Sequence, residues 1–455
     1  MDSRKNHKFI LFNALHYSYH TYVTRVNKYE GDNRMKYVLT FCVISLIAVS
    51  RMSTADILMV PSEYGSIQEG IDAANTGDTV SVEPGMYFES IDFMGKEITV
   101  SSVSGTPINT SINGSSSSGS VVVFENGETS NSILEGFTIR NGSAISGGGI
   151  YIYNASPVVR NCVIKNNQAS VSGAGIYAVS NAAHETISLE DITISNNTAV
   201  GSGGGIYFNN CEVTISNCEL LNNSALNGGA IYIKDSEFSL SDMAFNDNTA
   251  SANGGAIYIK ETTGVALDCA FVNNTANSGG AWFIYLNCTA TISDSIFLGN
   301  SVTNTGGSAT VRNTCVVTFS WCSFDSNIAD SDCDEKGGSS IAEIVNSTVT
   351  LDNPTICNNL VCDIPGDFSG DQPIIVGEIL ECATGIGACC GGSACWEMDE
   401  EMCLDGGGMW NGDATLCAIV TCEGSSGECA ADLNGNGSVE VLDIIELISA
   451  WGACP

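Results

Sequence analysis

From about Gly147 to Asn359 one pattern comes round eight times: a glycine-rich turn, an alternating apolar strand, a polar turn, a second apolar stretch and a closing Asn. GGGIYIYNASPVVRNCVIKNN opens the series at Gly147, and GGAIYIKDSEFSLSDMAFNDN at Gly228 is typical of it. The closing asparagines are Asn167, Asn197, Asn223, Asn248, Asn274, Asn300, Asn327 and Asn359, at intervals of 30, 26, 25, 26, 26, 27 and 32 residues. A near-constant period of this length means repeated supersecondary units that stack. Within one unit Ile231 and Ile233, Phe238 and Leu240, and Met243 and Phe245 alternate with polar neighbours, so each short strand turns one face inward. A single coil cannot bury that face. Coils stacked about 4.8 Å apart hydrogen-bond to one another and bury it continuously, like residue above like. Gly pairs supply backbone conformations closed to other residues, and Asn tolerates the left-handed region at bends. Asn side chains stacked in this way can hydrogen-bond from coil to coil, which accounts for the NN signature ahead of an Asn-lined active site.

The chain has 20 Cys, 49 Gly and only 8 Pro, and a formal net charge of −35. Its first 55 residues hold 8 of the 16 Lys and Arg but only Asp2, Glu30 and Asp32, leaving 8 cations against 48 acids, a formal −40, for the rest. Such a surface repels nucleic acid and anionic lipid. MKYVLTFCVISLIAVSRMSTA, residues 35–55, has a basic lead, an apolar run and small residues at its end. It reads as a secretory signal peptide, with residues 1–34 outside the mature protein. The apolar run is shorter than a membrane span requires, so no permanent span is expected. Export to an extracellular or cell-surface location also suits the cysteine count.

The mature chain begins near Asp56. Ser66 followed by Glu69 is a capping box, and Ile67, Ile71 and Ala74 share one helical face, which predicts a short amphipathic helix. Val80 and Val82 then alternate as a strand. A stack of coils has an open apolar end, and a helix there would cover it. This stretch resembles the start of the pectin lyase-like group of right-handed parallel β-helix proteins, and ILEGFTIRNG at 133–142 again resembles a β-helix coil. The recurring GGA-I and F-x-x-N pairs, as in Gly254-Gly255-Ala256-Ile257 with Phe271 to Asn274, resemble the repeats of the chlamydial polymorphic outer membrane proteins. Unlike that family, no β-barrel translocator sequence follows, so barrel anchoring is not expected. The expected fold is all-β: a right-handed, single-stranded parallel β-helix over residues 56–382 with an N-terminal capping helix.

Cysteines test this reading. Cys162, Cys218, Cys269 and Cys322 hold equivalent places in alternate coils, with Ile192, Met243 and Ser295 between them. At about 4.8 Å per coil they stand about 9.6 Å apart, beyond the reach of a disulfide, and read as free core residues. Cys288 and Cys315 fall in adjacent coils, where a bridge is geometrically possible.

Two small modules are expected beyond the solenoid. Residues 387–422 pack Cys389, Cys390, Cys395, Cys403, Cys417 and Cys422 into a stretch with few apolar residues, so cross-links hold it rather than a core. It has no His and no C-x-x-C spacing, which favours disulfides over zinc. In ADLNGNGSVEVLDIIELISAWGACP, within 429–455, Asp432, Asn434, Asn436, Ser438, Glu440 and Asp443 occupy positions 1, 3, 5, 7, 9 and 12 of a calcium loop, with Gly437 at the sharp turn. Ile444, Leu447, Ile448 and Trp451 continue it as an amphipathic helix. The segment resembles one half of a dockerin, with Asp at position 12, which implies calcium and a docking partner. Neither zinc nor a nucleotide cofactor is expected.

Catalytic residues are not legible. The mature chain has one histidine, His184, and three arginines, Arg140, Arg160 and Arg312, from which no His-based triad or zinc site can be assembled. His184 lies beside Glu185, Glu190 and Asp191 in a longer loop, a weak acidic-patch candidate. The sequence therefore points to a secreted or cell-surface scaffold, a non-catalytic binding or adhesion protein docked through its C-terminal module, with carbohydrate or a cell-surface component as partner. The alternative, which the pectin lyase-like resemblance implies, is an extracellular polysaccharide lyase or glycoside hydrolase. An enzyme needs two or more carboxylates about 5–10 Å apart in a groove, whereas a binding protein shows them dispersed.

Overall fold

The computed structural model describes residues 55–181, 186–329 and 341–361 without a break, and short strands beyond them as far as residue 413. Residues 1–34, all but the last residue of the expected signal peptide at 35–55, and the calcium-loop module at 429–455 lie outside the described residues.

Alternation builds strands as the sequence requires. Ile150–Tyr153, Ile176–Val179, Ile206–Asn209 and Ile231–Lys234 each bury their first and third residues and turn the other two outward. They pair in parallel with Ile150 over Ile176, Ile206, Ile231 and Ile257 in unbroken register, within an 11-stranded first sheet. A 20-stranded second sheet contains long strands such as Glu212–Leu221 and Glu237–Asn246, and a 10-stranded third sheet contains short ones from Ser143–Ser146 onward. Each coil visits the three sheets in turn, so the protein is an all-β parallel solenoid. The irregular early coils belong to it, because Thr79–Val82, Thr99–Ser102 and Ile133–Glu135 pair in series and hand on to Val158–Lys165.

Bends sit where the sequence can make them. The long strands turn on Asn161, Asp191, Asn217, Asp242, Asp268 and Asp294, with φ between 47° and 55°, a region that Asn and Asp tolerate best after Gly. A second bend falls on the first residue of each closing pair, as at Asn196 and Asn222 (φ 55° and 54°), and a third on glycines such as Gly203 (φ 66°).

The second Asn of each pair points inward and is buried. Asn223 Oδ1 accepts from both the backbone N–H (3.1 Å) and Nδ2 (3.0 Å) of Asn197. Its own Nδ2 donates to the Ile194 carbonyl (2.8 Å) and to Asn248 Oδ1 (3.1 Å). The same bonds tie Asn248 to Asn274, Asn274 to Asn300, Asn300 to Asn327 and Asn327 to Asn359. The polar atoms of each side chain are thereby satisfied inside an apolar core.

Inside the stack Phe245, Phe271, Phe297 and Phe324 lie ring on ring at 4.8–4.9 Å. Close packing shows in compensation between coils: Phe238 pairs with Gly264, where a Cβ would meet the Phe238 ring at 2.5 Å. Under the third sheet the inward residues are small, Ala169, Ala199, Ala225, Ala250 and Ala276. Cys162, Cys218, Cys269 and Cys322 are free and buried, with Ile192 and Met243 in register between them. Cys288 and Cys315 are also free thiols, stacked in adjacent coils with the Cys288 N–H 3.4 Å from Cys315 Sγ.

The capping helix is Ile67–Ala73, with Ser66 as its N-cap accepting from the Glu69 N–H. Ile67 and Ile71 are buried, and Gly70 leaves room for Val80 and Val60. Side chains from the first coil close both ends. Glu89 accepts from the N–H groups of Ile67 and Gln68 (3.0 Å each), and Lys96 Nζ donates to the carbonyls of Ile71, Asp72 and Ala74 at 2.7–2.9 Å, complementing the helix dipole at each terminus. Beyond the solenoid, Ile386–Gly391 pairs antiparallel with Ala394–Asp399 and Met409–Asp413.

Replacing Asn248 with Ala would leave the Asn223 donors and the Leu220 carbonyl unpaired in the core. About 3 kcal/mol of stability should be lost, measured by urea unfolding, whereas Asn222→Gly, at a left-handed bend, should change it by less than about 1 kcal/mol.

Candidate functional site

Of the residues singled out by sequence, Asp432, Asn434, Asn436, Ser438, Glu440, Asp443, His184 and Glu185 lie outside the described residues. Glu190 and Asp191 are exposed on the second sheet. Glu190 stands one coil from Arg160, whose Nε lies 2.6 Å from Glu135 Oε2. Asp191 is a bend residue that accepts from Asn217 Nδ2 at 2.5 Å. Both therefore belong to rows that run across the coils, the first an alternation of charge and the second a line of Asx bends. Among the described residues no group of three or more His, Cys, Asp or Glu is placed to share a metal ion.

That Asx line brings Asp242, Asp268 and Asp294 one above another. Partial burial, with the charges of Asp294 and Asp242, raises the Asp268 carboxyl above its ordinary value. Several buried thiols are raised too, whereas that of Cys315 is lowered by its hydrogen bond with Cys288. Burial pushes Cys162, Cys218 and Cys322 up to about 12 and Cys211 to about 11, so at neutral pH they are protonated and poor nucleophiles.

A feature that sequence reasoning missed runs along the outside of the first sheet. Tyr151, Tyr177, Tyr207, Tyr232 and Tyr258, continued by Phe283, stack with centroids 4.7–5.6 Å apart and planes within 14° of parallel. Each comes from the second residue of an Ile-Tyr strand or its Trp-Phe counterpart. The repetition of that Tyr at the coil period was the available signal. Ring faces are turned to one another in such a stack; Tyr151, Tyr177, Tyr207 and Tyr232 are partly exposed, and Tyr258 and Phe283 are buried. Tyr87 and Tyr153 hydroxyls bond within the protein, but the five of the ladder make no hydrogen bond to a described residue. Burial raises the phenols of Tyr177 and Tyr207, and that of Tyr232 to about 12, so they remain protonated donors.

Two residues further along the same strands, Lys234, Lys260, Tyr285 and Arg312 form an adjacent outward row in register. Each cation has an acidic neighbour: Lys234 with Asp235 at 3.0 Å, Lys260 with Glu261 at 3.6 Å, and Arg312 Nε with Glu343 Oε2 at 2.9 Å. Arg312 also lies over the Phe283 ring, 5.9 Å from its centroid. Half-exposed pairs of this kind are weak and readily re-partnered. The strip is thus nearly neutral, aromatic and rich in donors along a strongly acidic molecule.

Residues 169–328 match the family model described as the right-handed beta helix region. The A-module of mannuronan C-5 epimerase AlgE6 from Azotobacter vinelandii is a structural neighbour at 11% identity and a TM-score of 0.25, covering 70% of this chain and 94% of that one. No curated protein sequence matches the chain.

Because Asp268 carries a raised native value, its ionised form is penalised only in the folded state. The penalty is absent below the unfolded carboxylate pKa and complete above the native one. Asp268→Asn should therefore raise the thermal midpoint slightly at neutral pH. The gain should shrink to nothing as pH falls below the ordinary carboxylate range, as followed by melting curves across pH.

Proposed function

We propose that this protein is a secreted or cell-surface binding scaffold, whose first-sheet face holds an extended glycan and whose C-terminal dockerin-like module attaches it to another component through calcium. The observation that carries the reading is the line of five phenol hydroxyls without a partner among the described residues, one per coil at roughly 5 Å spacing. A row of protonated donors repeated along a rigid axis suits a linear polymer with repeated hydroxyl or carboxylate acceptors. Lys234, Lys260 and Arg312 beside it add cationic donors for acidic sugars. The rings are held by stacking, so little side-chain entropy is lost on binding. Export and calcium rest on residues 35–55 and 432–443 of the sequence.

The hydroxyls can be removed without removing the stack, since Phe283 already occupies it. The triple variant Tyr207→Phe, Tyr232→Phe, Tyr258→Phe should keep its melting temperature and bind at least roughly 30-fold more weakly to whichever member of a panel of acidic and neutral polysaccharides retains the parent chain, at about 0.7 kcal/mol per lost hydrogen bond. Retention by no polysaccharide would remove the glycan reading. New reducing or unsaturated ends released from any of them would replace it with a lyase or hydrolase.

For the C-terminal module, calcium titration by calorimetry should show binding that Asp432→Ala abolishes or weakens at least tenfold. Equal heats from the two chains would dispose of the calcium loop.

A further inference from the structure

The third sheet presents a face of a different kind. The segments that build it and its flanking turns, residues 141–149, 166–175, 196–205, 222–230, 247–256, 273–281 and 299–309, contain one charged residue, Asp247. That is a wide uncharged strip on a chain whose mature portion carries 48 acids. Its outward residues are mostly Ser, Thr, Gln and Asn, but four consecutive coils expose an aliphatic side chain: Ile145 (74% exposed), Val171 (50%), Val200 (72%) and Leu226 (45%). Ala144 pairs with Ala169, Ala169 with Ala199, and Thr198 with Ser224, which sets Ile145, Val200 and Leu226 on one line across coils about 4.8 Å apart, with Ser170 between Ile145 and Val200 and Val171 beside the line, one residue further along at a bulge.

Folding does not call for these aliphatics. The inward places on this sheet are filled by alanines and Val302, and in later coils Ser251, Asn277 and Thr303 are outward on the same sheet.

We propose that this face is the interface through which two copies of the chain associate side by side and antiparallel. Charge selects the occupant. Two strongly anionic molecules repel wherever their acidic surfaces meet, and the uncharged strip is where they can approach. Interface cores are likewise depleted of charge. Geometry favours a second copy because the coil period of the row is matched by an identical row. A two-fold axis near its middle sets the Ile145 end of one copy against the Leu226 end of the other. The seven segments, about 4.8 Å apart with strands of two to five residues and their flanking turns, make a strip on the order of several hundred Å² per copy, below the roughly 800 Å² per partner of a standard interface, so the association is a weak one.

Sedimentation equilibrium of the full mature chain over a wide concentration range tests this. A monomer–dimer equilibrium is expected, tightening as salt screens the repulsion between the copies. The double variant Val171→Glu, Val200→Glu should be monomeric, while Thr291→Glu on the second sheet should leave the equilibrium unchanged. If the glutamates disturb folding, as judged by the melting curve, Val171→Thr with Val200→Thr, residue types already outward on this sheet, should weaken the dimer at least tenfold. A chain that stays monomeric up to its solubility limit, or a dimer indifferent to both double variants, overturns the proposal. So does an association that salt dissolves, since that would rest on ion pairs.

Discussion

The register of one coil upon the next is the constraint on which everything else depends, and the buried asparagine ladder enforces it. A parallel ladder of backbone hydrogen bonds repeats every second residue and would tolerate a slip by two, while a slip by one would carry the inward residues to the surface. Asn223 adds a condition that only one alignment meets. Its Oδ1 takes two donors from Asn197 while its Nδ2 finds both Ile194 and Asn248. Any other alignment leaves an amide unsatisfied in the core, at a cost of about 1–3 kcal/mol per orphaned group. The intervals from Asn167 to Asn197 and from Asn327 to Asn359 are long, yet the ladder bonds continue across both.

Once register is set, residue type propagates along the axis in columns. Ring stacks on ring inside, from Phe245 to Phe324, and outside, from Tyr151 to Phe283. Where a column changes, its neighbours compensate. Trp282 takes the inward place held by Ile257 one coil before, and its ring meets Phe271 edge-on at 5.7 Å. Phe238 lies over Gly264, which has no side chain to displace it.

These physical rules explain which parts were legible in the sequence. Inward apolar residues, bend residues and ladder asparagines each answer a requirement that recurs once per coil, so the period exposes them together, and with them the alternate-coil cysteines. Ser66 and Glu69 disclosed the capping helix by local chemistry, but Glu89 and Lys96, which close its two ends from 20 or so residues away, carry no local mark. The Tyr ladder has no separate mark in the sequence, because the repetition of an outward residue at the coil period is indistinguishable from the strand pattern itself. The uncharged third face was hidden for another reason: net charge is a sum over the chain, and a sum does not show where charge is missing. Glu190 and Asp191, adjacent in sequence, separate into two different rows once the strand bends between them.

A solenoid of three sheets keeps the interior and the exterior largely independent. Inward places are constrained by packing at nearly native-crystal density, while each outward column is free to vary as long as its backbone stays in register. Outward chemistry that repeats once per coil therefore takes the form of lines. Five phenols at one edge, an Asx line at the long-strand bend and an uncharged strip on the third sheet all run parallel to the axis. A line engages a partner that is itself repetitive, and it gains by multivalency what each contact lacks singly. The same geometry isolates the thiols, because alternate coils hold them about 9.6 Å apart and burial keeps them protonated. Cys162, Cys218 and Cys322 can thus serve as core residues, with neither one another in reach nor the thiolate needed for attack.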